Sequence, residues 1–398
     1  MRLVVRAAEV TAADRLIDVS RAHVDSCLYH GEATLDFVER LAAGDAHVSV
    51  PTTLNVGAVD LLHPELYRGD SRVADRGRLL MDRYRALGAR PTFTCAPYQL
   101  PAARPSLGEQ VAWGESNAIA FCNSVLGART NRYGDFIDVA AAITGRVPFS
   151  GLHRTGARRA TLLLRLADDV PSALRETDVL FPVLGLALGR RAGSAVAAID
   201  GLPSGRSEDQ LKALGAAAAS SGSVAMFHVI GSTPEAPTLD DAFHHQPPDA
   251  EGEIGMAELR AARDELTTAT GERLAAVSLG TPHASHAELE RYSALLGKER
   301  VHADIECVIS TGRGVAEAAP EVVARLREAG VEILVDTCSY ITPVLRNSAG
   351  PVMTDSGKWA YYAPGNIGAE VVFGSSAECI RSAVAGLVVR DLTAWGGA

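Results

Sequence analysis

The C-terminal third alternates short apolar runs with amphipathic stretches, and that alternation leaves few folds open. The runs are "RLAAVSLG" (273–280), "VHADIECVIST" (301–311) and "VEILVD" (331–336). Between the first two lies "HASHAELERYSALLG" (283–297), with Ser285 and Glu288 at capping-box spacing. Between the second and third lies "PEVVARLREAG" (320–330), with Pro320 at its start and Gly330 after its end. Strand, helix, strand, helix, strand is the pattern of parallel strands joined by crossover helices. Such strands carry their C-terminal tips to one edge, where open α/β sheets bind ligands. "GTPHASH" (280–286), "STGRG" (310–314) and "DTCSY" (336–340) are therefore expected to converge, with His283, Arg313, Asp336 and Cys338 in one pocket. The last loop bunches an acid, hydroxyls and a thiol where a strand should end.

The chain has 398 residues, more than one small core needs, so two or three lobes are expected. The reading places them at 1–155, 156–270 and 271–398. No run of about 18 apolar residues occurs, so no membrane partner is indicated. The N-terminal "MRLVVRAAEVTAADRL" is too charged for a secretory signal, which points to a cytoplasmic protein. A net charge of −10, spread without blocks, argues against nucleic acid as a partner.

In the middle, "TDVLFPVLGLALGRRAG" (177–193) runs into Gly185, Gly189 and Gly193, followed by a small-residue helix, "EDQLKALGAAAASSG" (208–222), and a strand in "SVAMFHVIGSTPEAP" (223–237). The glycines do not fit the GxGxxG dinucleotide fingerprint, and close helix–strand packing explains them. "HHQPPDAEGEIG" (244–255) reads as an exposed connection between lobes, with His244 and His245 in solvent. His283 and His286 do not make the HExxH of a zinc protease.

The N-terminal half holds four stretches more polar than a core requires: "AHVDSCLYHG" (22–31), "SVPTTLNVGAVDLLHP" (49–64), "TFTCAPYQLP" (92–101) and "WGESNAIAFCNSVLGARTNRYGDF" (113–136). Glu115, Ser116 and Asn117 open a helix whose free backbone N–H groups favour an anion. Arg129 and Arg132 follow, and suit a carboxylate or phosphate.

Six cysteines form no CxxC pair. Cys122, Cys307 and Cys379 fall inside helix or strand and read as buried hydrophobes. Cys27, Cys95 and Cys338 each sit in a loop just past an apolar run. Three thiolates from three loops are enough to hold an iron–sulfur cluster with one iron open as a Lewis acid; the spacing signal for it is weak, and a cluster-free site stays open.

At these residues the chain resembles the aconitase X family. The resemblance rests on "PTTLN" (51–55), "TCAPYQ" (94–99), "GESNAIAFCNSVLGARTNR" (114–132), "AAAITGRVP" (140–148), "FHVIGSTPEA" (227–236), "GTPHAS" (280–285), "DTCSYITP" (336–343) and "TDSGKWAYYAPG" (354–365). It implies an α/β protein, an aconitase-like multi-lobed α/β/α catalytic subunit with parallel-sheet units. It also implies a hydro-lyase, a dehydratase of a small hydroxy acid assisted by an iron–sulfur cluster, with [2Fe-2S] favoured. One branch of the family dehydrates cis-3-hydroxy-L-proline to Δ1-pyrroline-2-carboxylate; the other dehydrates mevalonate 5-phosphate. "AHVDSCLYHG", "PTTLNVGAVDLLHP" and "ARTNRYGDF" resemble the first branch. Thr281 stands where the second branch carries a cluster cysteine, and Cys27 is the replacement ligand this suggests. Fused members carry a further swivelling domain with a catalytic serine, so a separate small subunit is implied, making the enzyme a heterodimer.

Loss of water across Cα–Cβ needs a base for the Cα proton and an acid or metal for the hydroxide. His283 and Glu115 are the catalytic candidates. His283 serves as base, donor or structural residue, and Glu115 as base or helix-start charge. Substrate contacts are expected from Thr53, Asn55, Ser116, Asn117, Arg129 and Lys358. Asp25 suits the secondary ammonium of a proline ring. A non-catalytic small-molecule binding protein on the same fold is the reading of another class. Iron in an anaerobic preparation separates the two.

Overall fold

The computed structural model describes residues 1–346 and 350–396. Strands Val331–Leu334, Glu306–Thr311, Ala276–Ala284, Pro351–Thr354 and Glu370–Phe373 lie side by side in that order, every neighbouring pair parallel. The three C-terminal runs are thus adjacent parallel strands with helices His286–Leu296 and Pro320–Glu328 between them. The capping box forms as its spacing requires, Ser285 accepting from the Glu288 N–H. Two strand starts fall later than the apolar runs suggest, at Ala276 and Glu306. Val301 and His302 instead donate to the helix-end carbonyls of Ala329 and Ala383, at 2.8 and 2.9 Å, so they tie helix ends together.

The middle third carries a second parallel sheet, Phe227–Val229, Ala197–Asp200, Leu162–Leu166 and Ala250–Ile254. Its last strand falls in the stretch expected to be a linker. Leu162 to Leu166 pair in register with Ala250 to Ile254. The strand is mostly exposed and reads Ala-Glu-Gly-Glu-Ile. Charges on an edge strand block further pairing, and they also erase the apolar pattern by which a strand is read.

The run around Gly185 is a helix, Leu180–Ala192, and its glycines do not meet a strand. They meet a second helix, Glu208–Ser221: a Cβ on Gly185 would strike the Leu214 carbonyl oxygen, and one on Gly189 would strike Ser221. These two helices bury against both sheets. Leu164, Ile199 and Phe227 of one, and Val308, Leu334 and Phe373 of the other, belong to one apolar cluster.

The N-terminal third builds its own core, with Val24, Leu54, Leu80, Tyr84 and Val139. Its sheet is three parallel strands, Thr52–Leu54, Ala22–Val24 and Ala112–Trp113. The helix Ser116–Ser124 follows the last strand directly, and its Ala120 enters the core of the other two thirds.

Gly185→Ala tests the helix–helix contact. Alanine gains about 1 kcal/mol of helix propensity over glycine. The collision is with backbone, which cannot swing aside, and overpacking of this kind costs about 1–3 kcal/mol or more. The expected outcome is a net loss of stability, read as a lower midpoint in urea unfolding.

Candidate active site

Residues at matching positions of in-register parallel strands point to the same face. His23, Thr53 and Trp113 are such a set. Two residues further on, where the strands end, stand Asp25, Asn55 and Glu115. The ladder persists to that level, since Asn55 N–H donates to Val24 O and Gly114 N–H to His23 O, both at 2.9 Å. The N-terminal sheet therefore presents Asp25, Asn55 and Glu115 together at its C-terminal edge, and Asn55 Nδ2 donates to Asp25 Oδ1.

The edge of the C-terminal sheet meets it. Asp336, just past its strand, has φ +62°, a left-handed conformation that aspartate tolerates better than most residues. Its carbonyl accepts from Gly57 N–H at 2.7 Å and its carboxylate from Leu61 N–H at 3.0 Å. Both its oxygens also take Arg313. The hydroxyls of the tip are structural too. Ser339 bridges Ser278 at 2.7 Å and the Trp359 indole at 3.0 Å, and Thr337 pairs with Thr342. Acid and hydroxyls thus hold a sharp turn that leaves the thiol of Cys338 pointing into the junction.

There it meets Cys95. The two sulfurs and a ring nitrogen of His283 lie within 4.8 Å of one another, all on buried residues. Burial opposes ionisation of Cys95, but the Cys338 thiol as donor and the nearby His283 and Lys358 outweigh it and bring Cys95 down to about 6. Cys338 is pushed well up, first by that same bond and then by burial. The His283 backbone N–H adds a 3.3 Å bond to Cys95 Sγ. The His283 ring is committed: Nε2 faces the Thr337 carbonyl at 3.0 Å and must donate to it, and Nδ1 meets Thr94 Oγ1 at 3.0 Å.

Lys358, at the start of helix Gly357–Ile367, spans the junction to Glu115 at 2.5 Å, and both side chains are 5% exposed. Burial alone would lower the Lys358 pKa; Glu115 raises it well above its ordinary value. Glu115 is the N-cap of its helix, taking Ala118 N–H at 2.7 Å, and also takes Ser116 Oγ at 3.1 Å and the Asn117 amide. Asn117 donates to Cys95 O at 2.9 Å and accepts from Tyr98 OH at 2.8 Å. One chain of bonds thus links the helix start, the ion pair and the Cys95 loop. Asp25 is pushed up to about 8, first by burial and then by Glu115 and Asp135, with Asn55 opposing.

Three expected site residues are not brought into this arrangement. Cys27 stands outside the Cys95–His283–Cys338 group. Its loop is turned by Asp138, which accepts from the N–H groups of Asp25 at 2.6 Å and Ser26 at 3.1 Å, and the thiol points to Asn55 O at 3.1 Å. Arg129 is spent on His153 O and Thr155 Oγ1 at 3.3 and 2.8 Å. Thr53 lies one level below the tip, bonded to His23 Nδ1 at 2.8 Å. Asp138 and Lys212 escape sequence reasoning. Asp138 sits in an unremarkable alanine-rich helix. Lys212, buried with Glu288 and Asp209, reaches His283 O at 3.4 Å, and only its place on the apolar face of its helix hints at this.

Three parallel-sheet thirds, the first and last of which meet at paired thiols and a buried ion pair, define a lobed α/β protein with an internal, thiol-lined site. Three family models cover almost all of it: Aconitase X first domain over residues 1–156, second domain over 160–264 and third domain over 274–385. The chain belongs to the aconitase X family. It is 42% identical to a cis-3-hydroxy-L-proline dehydratase of Pseudomonas aeruginosa, over 99% of this chain and 68% of that protein. A Hypocrea jecorina protein of the same name is 39% identical over 97% of this chain and 65% of its own length. The phosphomevalonate dehydratase large subunit of Methanosarcina mazei is 34% identical, over 97% and 92%. The crystal structure of Thermococcus kodakaraensis aconitase X (holo-form) superimposes with a TM-score of 0.85 at 30% identity, over 96% of this chain and 94% of that one.

The donor set fits a thiophilic metal centre: two buried sulfurs, one already biased toward thiolate, and a peptide N–H directed at it. Cys95 and Cys338 would hold it, and His283 would join only by releasing Thr94. No described helix is long and apolar enough to cross a membrane.

Breaking the ion pair tests its weight. Lys358→Met leaves Glu115 buried without its partner and is expected to cost about 3–5 kcal/mol. Adding Glu115→Gln removes the stranded charge and should restore a large part of the loss. Chemical denaturation of the single and double variants reads the difference.

Proposed function

We propose that this chain is the catalytic large subunit of a hydro-lyase that removes water from cis-3-hydroxy-L-proline to give Δ1-pyrroline-2-carboxylate. The observation that carries the reading is the acid-rich strand tip beside the thiol pair. Asp25, Glu115, Asp135 and Asp138 lie close together. Lys358 is the cation paired directly into that group. Such a tip suits an amino acid and repels a phosphate dianion, which needs several strong donors. The two relatives named for this reaction are also more similar than the phosphomevalonate subunit, at 42% and 39% against 34%.

In this reading Lys358 and the start of the Ser116–Ser124 helix hold the substrate carboxylate. That contact strengthens as charge moves onto the carboxylate when the Cα proton leaves. Cys95 and Cys338 would hold an iron–sulfur centre, which would supply Lewis acidity toward a hydroxyl leaving group. Among the described residues the group offers two sulfurs and one ring nitrogen, which would suit a small cluster such as [2Fe-2S]. Glu115 and His283 act as positioning residues, because their polar atoms are already bonded within the protein. The base then comes from elsewhere, and we assign it to a separate small subunit forming a heterodimer. The Methanosarcina mazei relative is itself named a large subunit, which supports a separate partner chain. The lobes are taken as 1–155, 156–270 and 271–398, and the compartment as the cytosol, in keeping with six free thiols.

An anaerobic dehydratase assay of the chain with its partner subunit should turn over cis-3-hydroxy-L-proline and leave mevalonate 5-phosphate untouched. Preference for the phosphorylated substrate would overturn the reading. Cys338→Ser should lose iron and sulfide, while Cys379→Ser, in the apolar core of the C-terminal sheet, should retain both. Equal content in the two variants would remove the cluster from Cys338.

A further inference from the structure

Asn55 is 3% exposed, and its side-chain oxygen has no hydrogen-bond partner among the described residues. An unpaired buried acceptor is costly, so a ligand that supplies a donor there recovers what the empty site loses. The direction of the amide is fixed by its neighbours. Asn55 Nδ2 donates to Asp25 Oδ1, which throws the Asn55 Oδ1 the other way, and a cation bound there favours the carboxylate form of Asp25, which only accepts. The main chain is held on both sides, Asn55 N–H by Val24 O at 2.9 Å and Asn55 O by the Cys27 thiol at 3.1 Å. Asp25 is half-buried, and Asn55 is its one side-chain hydrogen-bond partner among the described residues. Glu115, Asp135 and Asp138 all act on it electrostatically. The level tips of two adjacent strands therefore offer two kinds of acceptor in a negative setting, an unpartnered amide oxygen and a carboxylate.

We infer that Asn55 and Asp25 form a recognition subsite for a secondary ammonium, with Asn55 the residue that separates a ring amine from its neutral counterpart. The inference rests on the proposed hydroxyproline reading and deepens it. A secondary ammonium carries two N–H groups, which match one oxygen of Asp25 and Oδ1 of Asn55. A ring ether in the same place brings a lone pair toward two acceptors. A tertiary or quaternary nitrogen lacks the second donor.

Two probes isolate the contact: L-proline, and tetrahydrofuran-2-carboxylate, which keeps ring and carboxylate but replaces the amine with an ether oxygen. Both are titrated calorimetrically into the full chain, purified anaerobically with any chain that co-purifies. A hydrogen bond to a charged group is worth about tenfold or more in affinity, so the wild type should bind L-proline at least about tenfold more tightly than the ether. Asn55→Leu, of similar size and without the acceptor, should shrink the ratio to about threefold or less through L-proline alone, leaving the ether's Kd within about twofold. Asn55→Ser keeps a shorter acceptor, should give an intermediate ratio, and serves if the leucine variant fails to fold. An unchanged ratio in the variants, with L-proline still bound tightly, overturns the role of Asn55 and leaves the hydroxyproline reading standing. Failure of the wild type to bind L-proline, with mevalonate 5-phosphate bound instead, overturns both.

Discussion

A buried ion pair ties the N-terminal third to the C-terminal third at the site. Lys358 and Glu115 come from residues 243 apart in the chain and are almost fully shielded from water. Desolvating two charges is costly, and the cost is recovered only where geometry and further hydrogen bonds are good. Here Glu115 has both. It caps a helix, takes a neighbouring hydroxyl and amide, and accepts the ammonium. The same network runs through Asn117 to the Cys95 carbonyl. The position of one thiol is thus tied to the pairing of two lobes.

The other thiol is placed by backbone conformation. The left-handed Asp336 ends its strand abruptly, and Arg313 and two N–H groups from the opposite lobe hold it there. Local strain of order 1–3 kcal/mol persists only where surroundings over-determine it. Two devices from two lobes, an ion pair and a clamped turn, therefore meet at a single pair of sulfurs. His283 joins them from the end of strand Ala276–Ala284, itself steadied by Lys212 and Gln99 on its carbonyl.

Much of this was legible in the chain. The C-terminal strands and helices announced themselves through period and capping residues, and the three strands are neighbours and parallel. Cys122, Cys307 and Cys379 are buried in apolar clusters, as their place inside regular elements indicated. The glycines at 185 and 189 signalled close approach, but the neighbour is a helix rather than a strand. Periodicity reports which face is buried and is silent on what covers it. The edge strand at 250–254 was hidden because its exposed, charged side chains carry no alternation.

Sequence alone determined the C-terminal strands and helices and their parallel sheet, because period, caps and turn residues act within a few positions of one another. It also pointed to the family through motifs spread over the whole length. Tertiary structure alone decided which loop residues meet. Cys27 and Cys95 follow equally apolar runs, yet the bonds of Asp138 to residues 25 and 26 turn the first away from Cys338. Arg129 is as basic as Lys358, but it faces His153 while Lys358 faces Glu115. Side-chain direction at a strand tip depends on partners more than a hundred residues distant, and no local pattern encodes those partners.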